Sequence, residues 1–192
     1  MAETVAAAGA PLTRTEQPWH PRWLVRVYAS AEPIPPPWHA LVGAAAATTQ
    51  LPSVAVEARV ASRAADRGAL GVALALGPDV WLLLPAATTS VPARPAGSDE
   101  AAVIDVASAR IVVRVAGSHA LDLLMTGCGV DLHPLRFGVD DFAQTRLGPF
   151  AVLIHRVAET AYDVHVDRSL LESFNAWFDA SAKSLDITME RA

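Results

Sequence analysis

Residues 109–135 read ARIVVRVAGSHALDLLMTGCGVDLHPL, and the changes of apolar period within them decide the fold. Ile111, Val113 and Val115 alternate with Arg110, Val112 and Arg114, the period of two of a half-buried β-strand. Gly117 and Ser118 interrupt it. Ser118 is placed to cap a helix, its hydroxyl accepting a free amide of the first turn, and Asp122 suits the positive end of the helix dipole. Leu121, Leu124, Met125 and Cys128 then recur at helical spacing. Gly127 and Gly129 are expected to stop that helix in the left-handed conformation. Val130 to Pro134 follows as an extended run closed by proline.

Working outward, the same patterns recur. Arg22–Tyr28 alternates as a strand. Gly71–Leu76 and Val80–Leu84 flank Gly77-Pro78-Asp79 as a hairpin, and Trp81–Leu84, apolar on both faces, belongs at the centre of a sheet. Ala102–Val106 is a further strand. Ala143–Leu147 and Ala151–Val157 form a second hairpin about Gly148-Pro149. Tyr162, Val164 and Val166 share one face of a last strand. Ser169 and Glu172 form a capping box before a helix from Leu170 to about Lys183, with Leu170, Leu171, Phe174, Trp177 and Phe178 on its apolar side. Val54–Val60 alternates as another strand, and a short helix is expected at Trp38–Ala47 after the stiff Pro33–Pro37 connector. Ala86–Ser98 is a loop.

This order predicts an α+β fold of mostly antiparallel sheets with helices packed on them. Residues 1–21 are expected to be a loose arm, 22–185 one domain and 186–192 a frayed tail. The succession of elements reads as a weak duplication, with halves 22–98 and 99–185.

Composition narrows the function. The chain has 192 residues, 52% of them hydrophobic, a net charge of −5 and a single lysine, Lys183. Its mean hydropathy is +0.30. That is enough apolar material for a substantial core, and no basic stripe offers itself to nucleic acid. Cys128, the one cysteine, excludes an internal disulfide and fits a reducing compartment. The N-terminus lacks the pattern of a signal peptide, and Gly43–Ala47 is too short to span a bilayer, so a soluble cytoplasmic protein is expected.

Candidate chemistry is sparse. GCGVDL opens like a dinucleotide fingerprint, but Leu132 stands where the third glycine belongs, and the segment follows a helix instead of opening one. Asp131 and His133 share a face and could serve as two metal ligands or an acid–base pair. The structural alternative has Asp131 accepting turn amides and His133 packed or paired with Arg136. His155 and His165 read as ordinary sheet residues, His165 on a polar face. Cys128 reads as a small core side chain. Arg110, Arg114, Arg146, Arg156 and Arg168 fall opposite the apolar faces of strands or at strand ends. They read as a solvated face or as a surface that docks a carboxylate-rich partner. Trp177 is either core or a partner anchor.

Four stretches carry a family resemblance: GPDVWLLLP (77–85), VIDVASARIVVRVAGSHALDLLMTGCGVDLHP (103–134), AQTRLGPFAVLIHR (143–156) and YDVHVDRSLLESFNAWF (162–178). In this order they resemble the gamma subunit of heterotetrameric sarcosine oxidase. Gly129 and Val130 stand where that family more usually has proline and leucine, and before Gly68 the resemblance is slight. It implies a fold similar to the folate-binding domain of glycine-cleavage aminomethyltransferases. It also implies a non-catalytic place beside alpha, beta and delta subunits in a complex that oxidatively demethylates sarcosine to glycine. FAD, FMN, NAD, zinc and tetrahydrofolate would be held by those partners and none by this chain. No catalytic residue carries over. The interface candidates are Arg110, Arg114, Arg146, Arg168 and Trp177. A cofactor, if held here at all, would involve Asp131, His133 and Arg136. The alternatives are a free-standing folate-binding or aminomethyl-transfer protein, with Asp131 or Asp105 holding the pterin, and a subunit of a related N-methyl amine demethylase.

Overall fold

The computed structural model describes residues 10–27, 62–63, 65–68, 71–77, 80–85 and 101–191. The expected strand at Val54–Val60, the helix at Trp38–Ala47, the Pro33–Pro37 connector and the Ala86–Ser98 loop lie outside the described residues. The strands are β1 (Leu12–Glu16), β2 (Trp23–Val27), β3 (Ser62–Arg63), β4 (Ala65–Gly68), β5 (Gly71–Gly77), β6 (Val80–Pro85), β7 (Ala101–Asp105), β8 (Arg110–Ala116), β9 (Asp141–Leu147), β10 (Phe150–Ala158), β11 (Ala161–Asp167) and β12 (Met189–Arg191). The helices are α1 (Ala120–Met125) and α2 (Leu171–Ser184). The α+β class and the predominance of antiparallel pairing are as the alternation predicts.

The chain divides into two compact units between Ser108 and Ala109, with the N-terminal strand joining the C-terminal unit. In the unit that begins with β2, the strands run β4-β5-β6-β2-β7, so Trp81, Leu82 and Leu83 lie on the middle strand and are buried. The β5–β6 hairpin forms where expected. β7 goes with this unit because it pairs with β2 along its whole length.

In the other unit, six strands are hydrogen-bonded in the order β12-β1-β8-β11-β10-β9. β8 is central because its alternation supplies Ile111, Val113 and Val115 to the core, all buried. β10 and β11 contribute Val152, Ile154, Tyr162, Val164 and Val166 to the same core. α2 presents Phe174, Phe178 and Ala182 at i, i+4 and i+8, one apolar stripe of a helix. The Phe150 and Phe174 rings meet edge-on at 5.5 Å, a preferred aromatic arrangement.

Several local expectations are corrected. Residues 12–16 are not a loose arm: β1 pairs antiparallel with β8, and Thr15 faces Arg114. The tail is not frayed throughout, because Met189–Arg191 pairs in parallel with β1. An edge of β8 supplies the hydrogen-bonding template for β1, and the outer edge of β1 then supplies it for β12. Ser118 does not cap α1. Its hydroxyl and its amide both donate to the Ala10 carbonyl, each at 3.1 Å, and His119 occupies the cap position. Gly117 (φ +124°) is needed there because a Cβ would strike the Pro11 backbone.

The helical stripe is displaced too. Ala120, Leu123 and Leu124 are buried on α1 and Leu121 and Cys128 pack partly against the core, while Met125 is 42% exposed. The Ser169–Glu172 box does not form either. A 3-10 turn over Arg168–Leu170 leads into α2, and Leu170 is the cap residue.

Candidate functional site

The segment between α1 and β9 begins as a glycine platform. The carbonyl of Gly127 accepts the amide of Gly148 at 2.9 Å. A Cβ on Gly127 would stand 2.7 Å from the Trp177 ring, and one on Gly148 would stand 2.6 Å away. Bare backbone at both positions thus lets the indole lie flush. Gly148, at φ +57°, has the left-handed conformation, whereas Gly127 and Gly129 are absent from the positive-φ residues. The glycine expected to stop α1 by its handedness therefore serves close approach instead. Cys128 bridges to Leu147 in antiparallel fashion. Burial pushes its thiol up, more strongly than hydrogen bonds to Val130 and Thr145 draw it down.

From Val130 the chain alternates in and out. Val130, Leu132 and Phe137 are buried, while Asp131 and residues 133–136 are exposed. Asp131 Oδ1 accepts the amide of His133 at 3.0 Å, an Asx turn. The His133 carbonyl accepts the amides of Arg136 and Phe137 at 2.8 and 2.9 Å. His133 Nδ1 lies 3.3 Å from the amide of Leu135. As the acceptor, that nitrogen leaves the ring proton of a neutral histidine on Nε2.

The far end of this loop is clasped from within. Arg156, 5% exposed, donates to the carbonyls of Phe137 and Glu159, both at 2.6 Å, and of Ala158 at 3.3 Å. Its guanidinium sits 5.7 Å from the centre of the Tyr162 ring. Arg156 was expected among the outward arginines. Its fork of donors is matched by three carbonyls, which lets it stay buried.

The structure brings Asp131, His133 and Arg136 together, as turn builders on an exposed loop. The interface candidates lie elsewhere. Arg114 makes a two-pronged pair with Asp163, at 2.8 and 3.0 Å. Arg110 reaches Asp167 at 3.5 Å. In both cases the acid is the direct cross-strand neighbour on β11. Arg146 donates to the Pro149 carbonyl at 2.9 Å. Arg168 is exposed, its amide bonded to Ala109. Trp177 is half-buried against Phe150 and Phe174. His165, expected on a polar face, is 2% exposed and His155 3%, because both faces of the β10–β11 pair are covered at these positions.

A cleft of about 630 Å³ went unread in the sequence. Leu12 and Ile187 line it, with His119, Asp122 and Asp186 among its polar groups. His119 Nδ1 and Asp122 Oδ2 are 3.2 Å apart there, both well exposed. The walls include residues next to β1 and β12, stretches read as arm and tail, so nothing in the periodicity signalled it. Among the described residues no group of three or more His, Cys, Asp or Glu side chains could hold a metal ion. No helix among them is long and apolar enough to cross a membrane.

Two sheets of mainly antiparallel strands, the larger covered by a C-terminal helix, define an α+β protein whose conspicuous exposed feature is a braced loop. The fold matches a chain of the heterotetrameric sarcosine oxidase from Corynebacterium sp. U-96 in complex with pyrrole 2-carboxylate, with a TM-score of 0.69. That match covers 96% of this chain and 90% of that one at 24% identity. Residues 40–183 match the model of the sarcosine oxidase, gamma subunit family, and the chain belongs to that family. The match begins well before the first of the stretches that carry the resemblance. The sarcosine oxidase gamma subunit of Corynebacterium sp. (strain U-96) is 31% identical over 136 residues, 69% of this chain and 65% of that protein. The gamma subunit of Corynebacterium sp. (strain P-1) is 30% identical over 105 residues, 53% of this chain and 52% of that protein. The aligned region thus spans about two thirds or less of these relatives.

Proposed function

We propose that this chain is a non-catalytic gamma-type subunit of a multi-subunit, flavin-dependent sarcosine oxidase. In this reading it supports assembly of the alpha, beta and delta subunits, which oxidatively demethylate sarcosine to glycine in a tetrahydrofolate-linked reaction. FAD, FMN, NAD, zinc and folate reside on those partners, and the chain works in the cytoplasm. The single observation that carries the reading is family membership across residues 40–183. The site chemistry agrees with it. A pterin clamp needs a carboxylate held inside a cleft, free to meet two ring nitrogens. Asp131 and Asp105 are both exposed, and each accepts a backbone amide two residues on. On this reading the fold resembles the folate-binding domain of aminomethyltransferases without keeping its site.

The test is purification of the chain alone and with its co-expressed partners. The lone chain is expected to be colourless and inert toward sarcosine, and the assembly yellow and active. Sarcosine turnover by the lone chain with added flavin would defeat the proposal. Tight calorimetric binding of tetrahydrofolate to the lone chain would replace it with the free-standing folate-binding reading.

A further inference from the structure

Leu135 is 89% exposed, the most exposed large apolar side chain among the described residues. A leucine on a slack loop folds back onto the protein and buries part of its surface. Leu135 is kept from doing so. Its own amide is directed at the His133 ring, and the next two amides are bonded to the His133 carbonyl. Pro134 fixes one backbone angle beside it. The loop is rooted at each end by a fully buried side chain, Leu132 and Phe137, and Arg156 grips the Phe137 carbonyl from below.

Arg136 adds an independent sign. Arg14, Arg110 and Arg114 each meet an aspartate of their own unit, and Arg146 and Arg156 meet carbonyls. The guanidinium of Arg136 meets no acceptor among the described residues. It is therefore a free charge standing next to a free apolar side chain on a stiff support. That combination is what interface anchors look like: an apolar group for a pocket, and an arginine with its full fork of donors. Such an anchor loses little conformational freedom on binding, because the loop is ordered beforehand. One cation does not suit an anionic membrane or a nucleic acid, which need several together.

We infer that residues 133–136 are a docking prong, which inserts Leu135 into an apolar pocket of another protein chain whose rim offers a carboxylate to Arg136. The inference deepens the proposed subunit role and rests on it, the partner being another chain of the same assembly.

The test uses the full chain co-expressed with the other subunits of its complex. Assembly is followed by native mass spectrometry, and affinity by titrating the purified chain onto complex lacking it. Leu135→Asp is expected to weaken association by about 30-fold or more, the loss typical of an anchor residue. Arg136→Glu is expected to weaken it by about tenfold, and Leu135→Met to bind as the wild type does. Leu185→Asp places the same change on an apolar side chain that is 40% exposed and lies away from the loop, and should leave affinity unchanged. Thermal melts of the three loop variants should overlay the wild type, since residues 135 and 136 are exposed and none of these changes removes a buried group. Wild-type affinity in Leu135→Asp would overturn the prong while leaving the subunit role standing. Equal losses in Leu135→Asp and Leu185→Asp would overturn it as well. Failure of the wild-type chain to join any complex would overturn the subunit role and the prong with it. Loss of a homodimer in place of the mixed assembly would show a second copy as occupant and overturn the partner named here.

Discussion

The β8–β11 ladder and the 130–137 loop both carry arginines, and they use them in opposite ways. On the ladder, β11 places Asp163 opposite Arg114 and Asp167 opposite Arg110, so each charge is answered by its own sheet. The loop has one arginine drawn inward and one turned out. Arg156, lent by β10, is consumed by three carbonyls, and Arg136 is left to solvent. Side-chain type alone therefore says little about docking. What matters is whether the chain supplies an acceptor within reach, and strand register decides that.

Removing the loop's buried foot should do the most damage. Phe137→Ala empties a site that is 0% exposed and should cost about 3–5 kcal/mol, read from the midpoint of urea unfolding. A loss below about 1 kcal/mol would mean that the loop is not rooted as described. Next comes Arg156→Ala. It strands three carbonyls and should cost about 3 kcal/mol, and Arg156→Lys should recover little of it, because an ammonium cannot reproduce the planar fork. Arg114→Ala should cost about 1 kcal/mol or less, since the pair is part-exposed. A double-mutant cycle with Asp163→Ala isolates that coupling. Arg110→Ala, across a longer and more open pair, should fall within about 0.5 kcal/mol of zero. If Arg110 outweighed Arg156, the contrast between an answered surface charge and a structural clasp would be lost.

The smallest effect concerns alkaline pH. Burial raises Cys128 and Tyr162 above their ordinary values, so the folded chain holds these protons after the unfolded chain has begun to release them. Stability is then flat at neutral pH and declines as pH rises past about 8.5, where a free thiol titrates. Cys128→Ala should make that decline shallower on its first part, as followed by urea midpoints from pH 7 to 10.

Much of this was legible beforehand. The β5–β6 and β9–β10 hairpins, β8, β11 and α2 stand in the sequence because their apolar residues repeat at a fixed period. β1 and β12 do not. LTRTE and MER are too short and too polar to show alternation. The first becomes a strand because β8 has an edge to pair with, and the second because β1 then offers its own outer edge. Both expected caps failed for a related reason. Ser118 found a stronger partner in Ala10, remote in sequence, and a 3-10 turn took over the entry to α2. The loop could be read from the Asp131–His133 pair, and of the two readings of that pair the structural one holds: Asp131 accepts a turn amide and His133 braces the turn. The outward aim of Leu135 had no sequence signal, because a leucine after a histidine and a proline reads equally well as buried.

The strand at the beginning of the chain has its partners at its middle and its end. β1 cannot be covered on one side until residues 110–116 exist, or on the other until Met189–Arg191 follow. A chain emerging from the ribosome must therefore carry this strand bare until β8 follows it, an interval in which the strand can pair wrongly with a neighbour. Closing the sheet last, across the longest separations in the sequence, is also the step that topology makes slow.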